Sequence, residues 1–364
     1  MDFLNSMRYP SPQLSKRYWL FILVGVLCLA PWVCVFTGGN YWVRVLDFAL
    51  LYVFLALGLN IVVGFAGLLD LGYIAFYAVG AYVAGLLASP HLANSFSTIS
   101  AIFPGGVHTS YWIILPIAAL VAAFFGILLG APTLKLRGDY LAIVTLGFGE
   151  IIRIFLNNLD RPLNITNGPK GINNIDAIAM GSFSFGKSFQ LWGVTIPSVI
   201  FYYYLFLILV MAVLIVSLRI QDSRIGRAWV AIREDETAAQ AMGLNTRNLK
   251  LLAFAIGASF GGISGALFAS FQGFISPESF SLSESIVVLA MVVLGGMGHI
   301  PGVILGAILL AAFPEFLRAT LEPLQRLLFG QVLLDSEIIR QLLYGTALIL
   351  VVRYKPKGLW PKVP

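Results

Sequence analysis

Residues 219–250 read RIQDSRIGRAWVAIREDETAAQAMGLNTRNLK and form the only long, densely charged segment of an otherwise apolar chain. This segment contains six Lys/Arg and four Asp/Glu residues. It is flanked by apolar runs at 199–218 and 251–271, each long enough to cross a hydrocarbon layer as a helix. We therefore predict a loop between two membrane spans, and its basic residues favour the cytoplasmic side.

The composition places the whole chain in the same class. Of its 364 residues, 59% are hydrophobic and 11% are charged, and the mean hydropathy is +0.89. These values exclude a soluble globular protein. Apolar runs near 20 residues, without the short alternating segments of a membrane barrel, predict helices. The expected fold is an all-α polytopic membrane protein with about ten transmembrane or partly spanning helices.

The charge distribution predicts the topology. Residues 1–17 are expected to be a cytoplasmic tail, 18–353 the membrane domain and 354–364 a second cytoplasmic tail. Residues 89–110 contain no Lys, Arg, Asp or Glu, as expected of an external loop. Alternation of the spans puts the long polar stretch 157–198 on that external side as well.

Two Gly-rich stretches interrupt the apolar runs. GFAGLLDLG at 64–72 carries Asp70 as its single charge, and its irregular backbone must be buried by protein because lipid cannot satisfy it. GGMGHIPG at 295–302 joins two short apolar runs, 286–298 and 302–313. Counting these runs as two crossings gives ten segments and places the basic C-terminal tail inside.

One stretch of the predicted external loop matches the pattern of a phosphate-binding loop. Residues 181–188, GSFSFGKS, satisfy G-x-x-x-x-G-K-[ST], but neither a preceding buried strand nor a following helix is expected there. Alternating aromatic residues around Gly186-Lys187 favour a β-hairpin with its turn at those two residues. ATP binding by this chain is therefore not expected.

Small residues recur at a helical spacing of four after the central loop. Such a stripe lets a second helix approach closely, either within the bundle or across a subunit interface. The stripe consists of Ala253, Gly257, Gly261, Gly265 and Ala269.

Elsewhere, Glu150 and Arg153 lie three residues apart on one helical face and are expected to pair.

Within the central loop, Thr237–Gly243 resembles the Glu-Ala-Ala-x-x-x-Gly loop of ABC importer permeases, in which a short helix docks into the cytoplasmic ATPase. Thr237 stands where that loop has Glu, and the Ile-x-Leu-Pro that often follows is absent. The chain resembles the branched-chain amino-acid permeases of the LivM type more closely. The stretches that carry this resemblance are IGRAWVAIREDE (225–236), GLLDLGYIAFYAVGAY (67–82), LRGDYLAIVTLGFGEIIRI (136–154), GFISPESFSLSESI (273–286) and LGGMG (294–298).

The resemblance implies an ABC importer permease bundle in a bacterial inner membrane, with both termini cytoplasmic. The implied partners are a homologous second permease subunit, two cytoplasmic ATPase subunits and an external substrate-binding protein. ATP would be bound by the ATPase subunits and not by this chain, and neither a cofactor nor nucleic acid is expected. One surface helix is predicted over 225–242. The expected ATPase-coupling residues are Arg227, Arg233, Glu234, Asp235, Glu236, Ala238, Ala239 and Gly243.

Three functions fit this pattern, and no enzyme class does. His91, His108 and His299 have no metal-binding spacing, and no nucleophile motif is present. The first function is import of branched-chain or other neutral amino acids, and the second is import of urea or short amides. The third is secondary transport without ATPases, for which Asp70 and Glu150 would be the ion-coupling acids. Candidate residues of the substrate path are Asn60, Thr145 and Gly147.

Overall fold

The structure is a computed structural model that describes residues 25–36, 39–134, 136, 138–181, 183–191, 194–329, 336–355 and 358–360. The predicted tail at 1–17 lies outside these residues. Almost all of the secondary structure is helical. In chain order the helices are α1 (Gly25–Phe36), α2 (Asn40–Leu59), α3 (Ile74–Leu87), α4 (His91–Ser95), α5 (Ser97–Ile102), α6 (Tyr111–Thr133), α7 (Asp139–Asn158), α8 (Ser198–Asp222), α9 (Arg224–Glu234), α10 (Glu236–Ala241), α11 (Thr246–Gln272), α12 (Leu282–Gly295), α13 (Ile300–Phe329) and α14 (Ser336–Tyr354).

The remaining regular elements are short. A π-helical turn, Asn60–Phe65, continues α2, and 3₁₀ turns lie at Gly168–Lys170 and Pro277–Phe280. Strands β1 (Ile172–Asn173) and β6 (Phe274–Ile275) pair with each other, as do β2 (Ala179–Met180) with β3 (Phe183–Ser184) and β4 (Phe189–Leu191) with β5 (Val194–Ile196). Every pair is antiparallel.

The prediction of a polytopic helical membrane protein is confirmed. Within the described residues, six helical segments are long and apolar enough to cross a membrane. Two shorter apolar helices, α1 and α3, join them. With α7 and α14, ten helices correspond to the ten segments expected from the sequence. The six segments that meet the spanning criterion are Asn40–Phe65, Tyr111–Thr133, Ser198–Asp222, Thr246–Gln272, Pro277–Gly295 and Ile300–Thr320.

Helix α11 lies at the centre of the bundle and packs against α2, α3 and α6. Its small-residue stripe makes these contacts, because a methyl group built on Gly265 would overlap the carbonyl oxygen of Tyr77 in α3. A methyl group on Gly262, beside the stripe, would lie 2.6 Å from the carbonyl oxygen of Ala118 in α6. Of the two alternatives for the stripe, the structure therefore supports packing within this chain.

The described loops collect at two ends of the bundle. At one end, which we call the far end, β1 pairs with β6, and the Asp176 amide donates to the Ala88 carbonyl (2.8 Å). These contacts join the segments 89–110, 157–198 and 273–281. At the other end, which we call the α9–α10 end, residues 66–69, Leu136 and Gly138 border a cavity together with α9 and α10. The assignment of each end to a side of the membrane stays a prediction.

The Gly-rich elbow separates two helices, α12 and α13, as predicted. The expected end of the second helix near 313 is wrong, because α13 continues through Pro314 and Pro323 to Phe329. The close approach of Gly295 and Gly302 lets the two helices lie side by side. The chain beyond α14 returns to this elbow, where the Leu359 amide donates to the Leu294 carbonyl (2.9 Å).

The hairpin predicted at Gly186-Lys187 is wrong in its register. Met180 pairs with Phe183, so the two strands connect between these residues and not at Gly186-Lys187. Packing selects this register, because Phe183 meets the ring of Phe201 in α8, and the Phe185 amide donates to the Ile178 carbonyl (2.9 Å). Among the described residues after Ser188 no helix begins before Ser198, so the stretch lacks the helix that follows a phosphate-binding loop.

Acidic groups within the bundle differ in how they are satisfied. Glu150 accepts from Arg153 Nε (2.9 Å), which confirms the expected pair. Asp70 is buried in the break between α2 and α3, and its Oδ1 accepts from the Gly72 amide (2.9 Å). Asp47 on α2 is also fully buried, and neither of its oxygens has a hydrogen-bond partner among the described residues.

Candidate functional site

Helix α9 is attached to the bundle by one side. Ser223 precedes it, and its hydroxyl accepts from the Gly226 amide (3.1 Å), which satisfies one of the free amides at the helix start. Trp229 is fully buried, and its indole N–H donates to the Leu249 carbonyl at the start of α11 (2.7 Å). Ile232, one turn further on, is buried as well. Helix α9 is therefore held rigidly to α11.

The single helix predicted over 225–242 is wrong, because the chain leaves helical geometry at Asp235. The Asp235 carboxylate accepts from the amides of Thr237 and Ala238 (2.8 and 3.0 Å) and so caps a second helix, α10. Aspartate is a preferred residue at this position. The sequence analysis did not predict that a second helix begins within this run. The signal was Asp235, a residue type that often precedes the first turn of a helix.

A buried ion pair fixes α10 against the bundle. Lys250 Nζ lies 2.6 Å from Glu236 Oε1, and the Lys250 side chain is 8% exposed. The Gln240 amide donates to the Thr246 hydroxyl (2.9 Å) from the other end of the short helix. Both contacts join α10 to the first turn of α11, so a force applied to α10 acts directly on the central helix.

The outward face of α10 is small and partly apolar. Ala238 and Ala241 are exposed, and Met242 is 84% exposed. Ala239 lies on the inward side and is 4% exposed, so it cannot contact a partner in this conformation. Gly243 ends the helix with a φ of +84°, and a methyl group built on it would meet no heavy atom within 4 Å.

Arg233 connects α9 to the bundle interior. Its Nη1 donates to the Gly64 carbonyl in the π-helical turn (2.6 Å), and its side chain also covers Gly67. In the same turn, Asn60 Oδ1 accepts from the Gly298 amide of the elbow between α12 and α13 (2.9 Å). A continuous set of contacts therefore runs from α9 through the break after α2 to the elbow.

The other predicted coupling residues are more exposed. Arg227 donates to the Asp222 carbonyl (2.7 Å), within its own segment. Glu234 is 72% exposed and lies 3.5 Å from Arg233 Nη2. These two side chains are accessible at the surface, whereas Arg233, Asp235 and Glu236 also make structural contacts.

Two of the three predicted substrate-path residues make hydrogen bonds where helices of the bundle are interrupted. Asn60 is buried and bonded to the elbow. Thr145 is buried, and its hydroxyl accepts from the Leu71 amide (3.0 Å) and donates to the Ala142 carbonyl (3.0 Å). Gly147 on α7 has open space where a side chain would be. Contact between these residues and a substrate stays a prediction.

Histidines at the far end have different environments. His108 Nδ1 lies 2.6 Å from Asp176 Oδ2, and this hydrogen bond raises the pKa of His108 above its ordinary value. Burial lowers the pKa of His91, whose ring contacts the Ile165 carbonyl (3.0 Å). No cluster of three or more potential metal ligands occurs in the part of the chain that the structure describes.

The sequence analysis missed a polar pair inside the bundle. Tyr52 on α2 donates from its hydroxyl to Glu284 Oε2 on α12 (2.9 Å), and both side chains line cavities. Glu284 follows the mostly polar run 276–283, so the sequence does not mark it as a residue of a membrane helix. The periodic position of Tyr52, four residues after Phe48 on an apolar helix, was the available signal.

Comparisons with known proteins agree on one family. Residues 41–351 match the family model described as branched-chain amino acid transport system / permease component. The chain is 41% identical over 355 residues to the high-affinity branched-chain amino acid transport system permease protein LivM of Escherichia coli (strain K12), covering 94% of this chain and 75% of that protein.

More distant relatives include an archaeal protein and a second type of permease. The probable branched-chain amino acid transport permease protein LivM of Methanocaldococcus jannaschii is 27% identical over 335 residues, covering 86% of this chain and 91% of that protein. The permease protein LivH of the high-affinity system of Escherichia coli (strain K12) is 26% identical over 265 residues, covering 71% and 79%. No solved structure matches the chain.

Proposed function

This chain belongs to the family of permease components of branched-chain amino acid transport systems, and from that membership we propose that it is the membrane-spanning subunit of an ATP-driven importer. The proposed substrates are branched-chain or other neutral amino acids. ATP would be hydrolysed by separate cytoplasmic subunits, since ATP hydrolysis and substrate passage are carried out by different chains in such an importer.

The observation that carries this proposal is the attachment of α9 and α10. Their inward faces are fixed to α11 by Trp229 and by the Lys250–Glu236 pair, and Arg233 reaches the π-helical turn. Their outward surface offers small residues, exposed charges and Met242. A surface of this kind, rigidly connected to the bundle interior, can transmit a push from a docked protein.

The orientation and partners follow from the same premise. We place the α9–α10 end and both termini in the cytoplasm, and the far end outside, in a bacterial inner membrane. Two ATPase subunits would dock at the α9–α10 ends of this chain and of a homologous second permease. Similarity to both LivM and LivH proteins supports a pair of homologous permeases. An external substrate-binding protein would deliver the amino acid at the far end.

Gly243→Asp tests the coupling surface. The change imposes a backbone strain of about 1 kcal/mol at a positive φ and puts a negative charge beside the negative end of α10. No clash is expected, because the position is open. We expect a normally inserted permease that loses its ATPase subunits or no longer stimulates their ATP hydrolysis. The measurements are co-purification of the ATPases and binding-protein-stimulated hydrolysis in nanodiscs.

Gly243→Asn is the matched control, because it has the same shape and strain without the charge. It is expected to retain more coupling than Gly243→Asp. If Gly243→Asp keeps full ATPase binding and full stimulation, α10 is only a connector and the proposed coupling role is withdrawn.

Uptake into vesicles distinguishes this proposal from the alternatives. An importer requires ATP on the ATPase side, whereas a secondary transporter driven by an ion gradient through Asp70 or Glu150 does not. The relatives reported above are all named for branched-chain amino acids, which favours these substrates over urea or short amides. Competition of labelled leucine uptake by unlabelled valine and by urea measures that preference.

A further inference from the structure

One face of α2 lines a cavity within the bundle. Phe48, Tyr52 and Leu55 follow a spacing of four and three residues, which places them on the same side of the helix. The cavity, which we call the Tyr52 cavity, has a volume of about 210 Å³. Its other walls come from Ile74 and Tyr77 on α3, from α11 and from the segment that leads into α12.

A second, smaller cavity shares three lining side chains with the first. It has a volume of about 140 Å³, and Phe48, Tyr52 and Glu284 line both cavities. Its remaining wall includes Met291 on α12 and Leu310 on α13. The two cavities therefore adjoin each other at Phe48, Tyr52 and Glu284.

The chemistry of the Tyr52 cavity is that of a carboxylate in apolar surroundings. Glu284 is the only Asp or Glu among the described residues that line it, and the Tyr52 hydroxyl orients the carboxylate through a 2.9 Å hydrogen bond. No Lys, Arg or His occurs among the described residues that line either cavity. Glu284 is partly buried, and no described lining residue supplies a positive charge to it. The carboxylate therefore favours a ligand that brings its own positive charge.

The apolar walls and the volume define the rest of the ligand. A dry protein cavity of about 150 Å³ lined by Leu, Ile and Phe accommodates a benzene molecule. The Tyr52 cavity is somewhat larger, so it has room for a branched aliphatic side chain together with an amino group. Arg44 lies two turns before Tyr52, about 12 Å along the helix axis, over the ring of Phe48. It supplies positive charge on the far-end side of the cavity.

We propose that the Tyr52 cavity is a binding site for an amino acid during its passage through this subunit. The ligand's ammonium group is held by Glu284, its branched side chain by Phe48, Leu55 and Ile74, and its carboxylate faces the Arg44 side. This inference rests on the proposed function, because it names the place at which the proposed substrate is held. A neutral amide lacks the positive charge that Glu284 selects.

Protection from chemical modification tests the site directly. Ser279 lines the cavity, so Ser279→Cys in a Cys28→Ser, Cys34→Ser background places a thiol there. The complete importer is placed in nanodiscs without ATP and treated with a small methanethiosulfonate reagent. Leucine at millimolar concentration is expected to slow modification at least fivefold. Ser110→Cys, in a separate far-end cavity, is the control and should react at an unchanged rate.

Two further measurements assign the ammonium contact. Glu284→Gln is expected to abolish protection of the cysteine at 279, whereas Glu278→Gln, an exposed carboxylate on the same segment, should keep it. The 2-oxo acid of leucine, which lacks the ammonium group, should give no protection with Glu284 intact. This second measurement is independent of whether Glu284→Gln folds.

The outcomes separate this inference from the proposed function. Absence of protection by leucine, or protection that persists in Glu284→Gln or with the 2-oxo acid, overturns the assignment. Uptake by the parent importer is measured in parallel. If the parent transports leucine but the thiol is not protected, only the site is wrong; if the parent shows no ATP-dependent uptake, the proposed function fails first.

Discussion

At the scale of single residues, Arg233 is the most informative side chain at the α9–α10 end. The sequence predicts a charged residue that fixes the register of a docked partner, whereas in the structure its guanidinium donates to the Gly64 carbonyl. An arginine that bonds a carbonyl oxygen in an irregular turn satisfies an acceptor that the helix ladder leaves free. Its structural contact is therefore to its own bundle, and Arg227 and Glu234 remain exposed for a partner.

Arg233→Met is expected to weaken coupling without disturbing ATPase docking. The substitution removes a hydrogen bond from a charged donor, with an expected loss of about 1.5 kcal/mol because the side chain is partly exposed. The amount of amino acid imported per ATP hydrolysed should fall several-fold while the ATPases still co-purify. Arg233→Lys, which keeps one charged donor, should retain part of the coupling.

Arg227→Met is the contrasting variant, because Arg227 bonds within its own segment and stays exposed to a docked partner. It is expected to weaken co-purification of the ATPases while the amino acid imported per ATP hydrolysed stays at the parental value. If Arg233→Met also keeps the parental import per ATP, the contact with Gly64 has no role in transmission.

At the scale of elements, α11 connects the surface to the interior. Its first turn holds α9 and α10 through Leu249 and Lys250, and its centre packs against three helices through small residues. Because small residues bring the backbones close together, no flexible side chains separate α11 from its neighbours at these positions. A displacement of one helix therefore displaces the others. The stripe therefore has a mechanical consequence in addition to stability.

Gly261→Leu should reduce the folded yield of the permease. A methyl group built at this position already lies 3.2 Å from Phe76 Cβ and 3.5 Å from the Tyr73 ring, so a leucine cannot fit without separating α3 from α11. Overpacking of this kind costs about 1 to 3 kcal/mol. The yield of monodisperse protein after extraction and its thermal unfolding midpoint are the measurements.

Gly345→Leu on α14 is the matched control, since nothing lies within 4 Å of a methyl group built there. Its yield should equal that of the parent. A Gly261→Leu protein with parental yield and unfolding midpoint would show that α3 and α11 can separate at no cost, contrary to the packing described.

At the scale of the whole molecule, loops that are distant in sequence meet at the same end of the bundle. The pairing of β1 with β6 and the contact between Asp176 and Ala88 join three loops at the far end. At the other end, the residues after α14 return to the elbow that also contacts Asn60.

Cysteine labelling tests the orientation of these two ends. Lys187→Cys at the far end and Arg224→Cys on α9 are both exposed positions, introduced in a Cys28→Ser, Cys34→Ser background. In intact spheroplasts a membrane-impermeant thiol reagent should label the first and not the second. After permeabilisation both should react, and labelling of Arg224→Cys alone in intact cells would reverse the proposed topology.

The sequence by itself determined the membrane class, the approximate number of helices, the position of the charged loop and the family. These properties depend on composition, on runs of about 20 apolar residues and on local motifs, all of which are properties of neighbouring residues in the chain. The breaks at 64–72 and 295–302 were also evident from the sequence, because several glycines occur close together there within apolar runs.

Only the tertiary structure decided which side chains meet. The hairpin register at Met180 and the contact of Arg233 with Gly64 both depend on partners outside their own segment. The pairing of Tyr52 with Glu284 joins residues separated by 232 positions. In an apolar chain almost every helix face is compatible with lipid or with another helix, so hydrophobic pattern alone cannot select the neighbours. Close packing and the need to satisfy buried polar groups make that selection, and they act only when the helices are assembled.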